Sequence, residues 1–199
     1  MPEKQTARVE AFSDGVFAIA VTLLALELKV PHGEAMTAGA LADALLAQWP
    51  AYFAVVTSFF TVLIMWVHHH TVFRLVYRAD AALLFVNGFL LLLVTLVPYP
   101  TAVLAEYLRT PAASTACAFY AGNFVLIGIA FYLLITVAFD KSRLVPEASE
   151  ATVTRLCKSY RWGAPCYAAA VIVAPYSPVL SLGICTALWI LWAATAREC

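Results

Sequence analysis

Polar side chains of the kind that carry out proton or metal chemistry interrupt three apolar stretches of the sequence. Arg8, Ser13 and Asp14 stand near the start of RVEAFSDGVFAIAVTLLALEL. Three consecutive histidines lie in WVHHHTVF, residues 66–73, and Asn87 lies in the next apolar stretch. A carboxylate within a membrane helix costs about 2.5–3.5 kcal/mol on insertion scales, so these groups are expected to find partners inside the protein.

These residues suggest three interpretations. A metal site made of His68, His69 and His70 is disfavoured, because consecutive helical residues diverge by about 100° whereas zinc-binding helices place ligands at i and i+4. A proton relay through Asp14 and the histidines stays open, because ionisable groups within membranes often carry protons. The favoured interpretation is a hydrogen-bonded clamp that holds the first helix to the second and third. Its expected members are Arg8, Ser13, Asp14, His69, His70 and Asn87.

The elements that must position these groups are membrane-spanning helices. Of the 199 residues, 63% are hydrophobic and 12% are charged, and the mean hydropathy is +0.86, which leaves too little polar surface for a soluble globule. A helix needs about 20 residues to cross the hydrocarbon core. The sequence predicts an all-α polytopic membrane protein, a single domain over 1–199, with six spans at 12–30, 51–76, 81–104, 113–139, 162–174 and 179–195.

The distribution of basic residues predicts the orientation. With six spans, ten of the twelve Lys and Arg fall on the side of the termini, which are therefore both expected in the cytoplasm. Only Lys29 and Arg109 fall on the other side. The formal net charge is +0, and topology accounts for the basic loops, so no nucleic-acid partner is expected.

The first predicted helix has two different faces. At 100° per residue, one stripe collects aliphatic and aromatic side chains, whereas Asp14 points to nearly the opposite side. Thr22 lies at the edge of this stripe, where its hydroxyl can bond back to its own helix. The stripe consists of Phe12, Val16, Ile19, Leu23, Leu26 and Val30.

Three motifs together resemble a known family. They are Arg8-x-x-x-Phe12-Ser13-Asp14-Gly15 on the first span, Trp66-x-x-His69-His70-x-x-Phe73 on the second, and Asp80-x-x-Leu83-x-x-x-Asn87 on the third. This combination is similar to the transmembrane protein 175 family of potassium channels. The resemblance covers the first three spans by motif, and the last three by count and length alone.

The resemblance implies an architecture and a set of site residues. Family members of this length are prokaryotic, have one six-helix unit and assemble as homotetramers in which the first helix lines a central pore. The Phe-Ser-Asp motif ties that helix to its neighbours, and a ring of bulky aliphatic side chains forms the constriction. Carried over by position, the constriction and selectivity residues are Ile19, Thr22, Leu23 and Leu26, and the structural polar residues are Arg8, Phe12, Ser13, Asp14, Trp66, His69, His70 and Asn87.

These expectations combine into one functional prediction with one rival. We expect a homotetrameric potassium-selective channel in the cell membrane of a prokaryote, with no metal or cofactor beyond the permeant K⁺. One helical stripe cannot enclose a conduit, so several copies must surround it. The alternative is a proton-coupled secondary transporter that uses Asp14 and His69 as its titrating pair. An enzyme is disfavoured because no nucleophile and base can be recognised together.

Overall fold

The computed structural model describes residues 6–33, 37–146 and 149–196. Within these ranges the chain is helical, with no strand beyond a single antiparallel bridge between Val76 and Leu144. The helices are α1 (Ala7–Leu23), α2 (Ala38–Ala47), α3 (Trp49–Arg74), α4 (Ala81–Thr95), α5 (Pro98–Tyr107), α6 (Ala113–Ala138), α7 (Glu150–Tyr160), α8 (Gly163–Val173) and α9 (Pro178–Ala196).

The first span begins and ends earlier than the sequence predicts. The predicted range 12–30 becomes α1 from Ala7, followed by a 3₁₀ turn over Leu24–Glu27 and an extended Leu28. The proline at position 31 disfavours helical backbone at the residue before it, so the helix cannot continue through Val30. Val30 therefore drops out of the predicted helical stripe.

A short helix lies between the first two predicted spans, 12–30 and 51–76. Helix α2 begins at Ala38 and includes Gly39, and its N-cap Thr37 accepts a hydrogen bond from the Ala40 amide at 3.2 Å. Residues 34–36, before this helix, lie outside the described ranges. The cap was overlooked because a threonine among small residues also fits a turn.

The third span, which runs from Ala81 to Tyr107, is broken at the sequence VPYP, residues 97–100. Helix α4 ends at Thr95 and α5 begins at Pro98. Prolines at 98 and 100 cannot donate to the preceding turn. The hydroxyls of Ser58, Thr101 and Tyr120 form a buried hydrogen-bonded chain beside the break, with oxygen separations of 2.7 and 3.0 Å.

Four of the helical segments are long and apolar enough to cross a membrane, and the sequence had predicted six spans. The four are Ala7–Glu27, Trp49–Arg74, Ala81–Tyr107 and Ala113–Ala138. The fifth predicted span, 162–174, corresponds to α8 with only 11 residues. The sixth corresponds to α9, whose apolar part Pro178–Ala194 is also shorter than the other four.

Helix α6 occupies the centre of the bundle, with α4, α5, α8 and α9 packed around it. Helices α6 and α8 approach most closely at Gly128, where an added Cβ would lie 2.8 Å from the backbone nitrogen of Ala164. Helix α1 lies apart from this centre, and its main contacts with other helices are with α3 and α4. The functional residues predicted on α1 are therefore held from one side.

Candidate functional site

A buried chain of hydrogen bonds joins α1 to α3 and α4. His69 Nε2 donates to Asn87 Oδ1 at 2.8 Å, and Asn87 Nδ2 donates to Ser13 Oγ at 3.0 Å. Ser13 Oγ in turn donates to the Val9 carbonyl oxygen at 2.8 Å. Since His69, Asn87 and Ser13 are all buried, the chain fixes which face of α1 points into the bundle.

A second tie joins α1 to α3 at its exposed edge. Trp66 Nε1 donates to Asp14 Oδ1 at 2.7 Å, a charge-assisted hydrogen bond between the two helices. The ring of His70, one turn further along α3, stacks on Trp66 with 6.3 Å between centroids. The donor to the intramembrane carboxylate is thus an indole.

The structure divides the predicted clamp into these two sets. Ser13, His69 and Asn87 lie together, whereas Asp14 contacts Trp66, with His70 beside it. Arg8, expected to offer donors to Asp14, is exposed and joins neither set. Phe12 is likewise exposed rather than packed against the helices of its own chain.

The three histidines point to three different neighbours. His68 Nε2 donates to the carbonyl oxygen of Trp192 on α9 at 3.1 Å, and the hydroxyl of Tyr160 on α7 donates to His68 Nδ1. His69 faces α4 and α1, and His70 lies at the surface. The angular divergence predicted for consecutive helical residues therefore holds, and each ring has its own environment. Sequence analysis missed Tyr160 and Trp192, because nothing in their spacing from position 68 signals the contact.

The aliphatic face of α1 and of the 3₁₀ turn that follows it is left uncovered by the other residues that the structure describes. Ile19 is 59% exposed, Leu23 is 37% exposed and Leu26 is 72% exposed. In the apolar 18-residue stretch of the first span only 22% of the residues are buried, against 39–44% in the corresponding stretches of the other three long spans. The hydroxyl of Thr22 donates a hydrogen bond to the Ile19 carbonyl oxygen at 2.9 Å. Its proton is therefore held by its own helix.

An ion pair joins the connection between α3 and α4 to the connection between α6 and α7. Arg143 donates from Nε and Nη2 to Asp80 Oδ2, at 3.0 and 2.8 Å, and from Nη1 to the Val137 carbonyl oxygen at 2.8 Å. Asp80 also caps α4 by accepting from the Leu83 amide at 3.0 Å. The hydrogen bonds from Arg143 and the Leu83 amide hold the pKa of Asp80 below its ordinary value, and Asp80 raises the pKa of Arg143.

The fold and this arrangement define a class: a helical membrane protein whose first helix is tied by polar contacts to the next two long helices and turns an aliphatic face away from its own chain. A family model described as the endosomal/lysosomal potassium channel TMEM175 matches residues 8–98. The chain belongs to the TMEM175 family, a family of ion channels and not of enzymes, as the motifs of its first three spans predicted.

Relatives and a solved structure extend the match beyond those motifs. A potassium channel from Chamaesiphon minutus is 47% identical over 192 residues, which cover 96% of this chain and 95% of the relative. A potassium channel from Streptomyces collinus is 53% identical over 131 residues, 65% of this chain and 63% of the relative. The crystal structure of a lysosomal potassium-selective channel TMEM175 homolog from Chamaesiphon minutus superposes with a TM-score of 0.88 at 45% identity, covering 98% of this chain and 99% of that one.

Proposed function

We propose that the protein is a potassium channel in which several copies of α1 surround a central pore. The subunits form a homotetramer in the cell membrane of a prokaryote, and potassium passes down its gradient without a cofactor. Potassium is supported as the permeant ion because both relatives are named potassium channels and the superposed structure is that of a potassium-selective channel. Each chain is a single domain over 1–199 whose two termini lie in the cytoplasm, and α8 and α9 complete six spans.

The observation that carries this proposal is the two-sided character of α1. Its inner side is fixed by Ser13, Phe17 and Ala20, all buried, whereas Ile19 and Leu23, with Leu26 in the following 3₁₀ turn, are exposed among the described residues. Lipid could cover such a face, but ordinary lipid contact gives no reason to hold the helix by two polar ties across its other faces. A pore helix needs both the exposed face and the polar ties, because its orientation sets the width of the conduit.

The constriction consists of aliphatic side chains rather than filter carbonyls. The sequence has no TVGYG-type segment, so selectivity does not come from that kind of carbonyl ring. A ring of Ile19, Leu23 and Leu26 side chains gates by dewetting when it is narrow and passes the ion that sheds water most cheaply when it is wider. Thr22 adds a hydroxyl oxygen at the edge of the same face, its proton being held by the helix.

The geometry disfavours the rival, a proton-coupled transporter. That mechanism needs Asp14 and His69 to titrate as a pair, but Asp14 contacts Trp66 and His69 contacts Asn87. Two repeated halves, another of its usual marks, are also not evident in the sequence. Single-channel conductance steps would exclude the rival, whereas saturating flux that requires a proton gradient would favour it.

The decisive experiment replaces Ile19 with asparagine. In planar bilayers, Ile19→Asn should lower the preference for potassium over sodium, because a polar side chain wets and widens the constriction. The matched control is Ile190→Asn, which makes the same change at an isoleucine of similar exposure on α9, 54% against 59%. Unchanged selectivity in Ile19→Asn, or an equal loss in the control, would contradict the proposal.

A further inference from the structure

Helix α7 differs in character from the spanning helices. It has 11 residues, lies between the long span α6 and the apolar α8, and buries one narrow face. On that face Leu156 and Tyr160 are buried, and the Tyr160 ring stacks on Phe131 with 5.9 Å between centroids and 2° between planes. The hydrogen bond from Tyr160 to His68 fixes this face further. The opposite face of α7 must therefore point away from the bundle.

That outward face is cationic and ends in an aromatic ring. Arg155, Lys158 and Arg161 follow one another at every third residue and are all exposed. The guanidinium carbon of Arg161 lies 5.5 Å from the ring centroid of Trp162, which is itself 57% exposed. Glu150, at the start of the helix, is paired with Lys141 at 3.7 Å. Lys158 and Arg161 therefore present positive charge on the outward side.

The position of these residues along the chain places them at the edge of the membrane. The apolar helix α8 begins at Gly163, directly after Trp162, so the polar-to-apolar transition falls at this junction. Tryptophan favours the level of the lipid headgroups, and long cationic side chains extend from apolar stems toward the phosphates. An amphipathic helix with cations outward and an aromatic residue at its end is typical of a surface that lies along a membrane.

We propose that the outward face of α7 binds the headgroups of anionic phospholipids, with Lys158 and Arg161 as the phosphate-binding residues and Trp162 inserted at the headgroup boundary. Charge complementarity selects this occupant, since each cation near an anionic membrane surface strengthens binding by about five-fold. The proposal requires that the protein is embedded in a bilayer but does not depend on potassium conduction.

The experiment measures which lipids surround Trp162. The full-length protein is reconstituted in phosphatidylcholine vesicles that contain a minor fraction of phosphatidylglycerol, with brominated acyl chains on one lipid at a time. The fluorescence of Trp162, obtained as the difference between the protein and Trp162→Phe, is quenched by nearby bromines. We expect phosphatidylglycerol to be enriched about five-fold or more over its bulk fraction beside Trp162, and the enrichment to fall in high salt.

A double variant and a charge-matched control identify the binding residues. Lys158→Gln with Arg161→Gln should abolish the enrichment, whereas Arg74→Gln with Arg78→Gln, which removes the same charge from the α3–α4 connection, should retain it. Equal quenching by both lipids in the unaltered protein, as expected for a face that docks an acidic protein instead, would overturn the proposal. So would enrichment that persists in the double variant. A protein that shows the enrichment but no potassium current would contradict the channel function and leave the lipid site standing.

Discussion

At the scale of single residues, His68 and His69 are adjacent in sequence but hold opposite parts of the bundle. His68 contacts α7 and α9 through Tyr160 and Trp192, and His69 contacts α4 and α1 through Asn87. Because these two residues are neighbours on α3, one short segment of α3 contacts both the proposed pore helix and the proposed lipid-binding helix.

Replacing Asn87 with leucine should destabilise the protein by about 1–3 kcal/mol, because Ser13 and His69 each lose a buried partner. The measurement is the midpoint of thermal unfolding in detergent. Ser13→Ala is the control, since it removes a single interhelical hydrogen bond and leaves the one between His69 and Asn87 intact. An Asn87→Leu protein no less stable than Ser13→Ala would show that the hydrogen-bonded chain contributes little.

The ion pair of Asp80 and Arg143 should make stability depend on acidity. The pKa of Asp80 is lower in the folded protein than its ordinary value of 3.8, so its contribution is complete above that value and is lost as pH falls through the lowered pKa. Thermal midpoints should thus fall as the pH drops below about 4, and Asp80→Asn should show a smaller fall. Asn retains a capping oxygen for α4, so the difference reports the charge.

Asp43, which is exposed on α2, provides the comparison for this pH dependence. Asp43→Asn should leave the difference between neutral and acid midpoints unchanged. If Asp80→Asn and Asp43→Asn behaved alike, the ion pair would have no measurable role in holding the two connections together.

At the scale of elements, two of the long helical segments are interrupted. Helix α1 tightens into a 3₁₀ turn at Leu24–Glu27, and the third span breaks between Thr95 and Pro98. The close approach of α6 and α8 at Gly128 anchors the opposite side of the bundle. Helix α1 is therefore attached to a bundle in which α6 and α8 pack tightly.

The crossing of α6 and α8 gives a direct test of that packing. Gly128→Ala should destabilise the protein by about 1–3 kcal/mol, because its Cβ would meet the backbone of Ala164 at 2.8 Å and the helices must separate. Gly122→Ala on the same helix has nothing within 4 Å and should be neutral or stabilising by up to about 1 kcal/mol. Equal unfolding midpoints for the two variants would contradict the close approach.

At the scale of the whole molecule, the proposed assembly predicts which exposed side chains meet water. Cysteines placed at positions 19 and 26 in a cysteine-free background should react with a water-soluble thiol reagent in conducting channels, because an α1-lined pore is hydrated. A cysteine at position 172, where Ile172 is 67% exposed on α8, should stay unreactive because acyl chains cover it. A cysteine at position 20 should also be protected, since Ala20 is buried.

The rates at which the cysteines react distinguish a pore-facing α1 from a lipid-facing one. If positions 19 and 26 reacted no faster than position 172, the aliphatic face of α1 would lie against lipid and the pore proposal would fail. If position 20 reacted as fast as position 19, α1 would not be held in the orientation that Ser13 and Asn87 impose.

The sequence by itself predicted the long apolar helices well. The span predicted at 113–139 is α6, Ala113–Ala138, and the prolines of VPYP lie at the break in the third span. Hydropathy summed over about 20 residues and the missing donors of proline are local properties, so they can be obtained without knowing the neighbours. The family could also be predicted, because its motifs are short and lie on single helices.

Only the tertiary structure decided which polar groups meet. Asp14 was expected near Arg8 and contacts Trp66 instead, and the partners of His68 and Asp80 lie at Tyr160 and Arg143, far along the chain. A hydrogen bond requires atoms within about 3 Å of each other, which depends on how helices rotate and cross. Periodicity states that two residues share a face, whereas packing determines the neighbour that face meets.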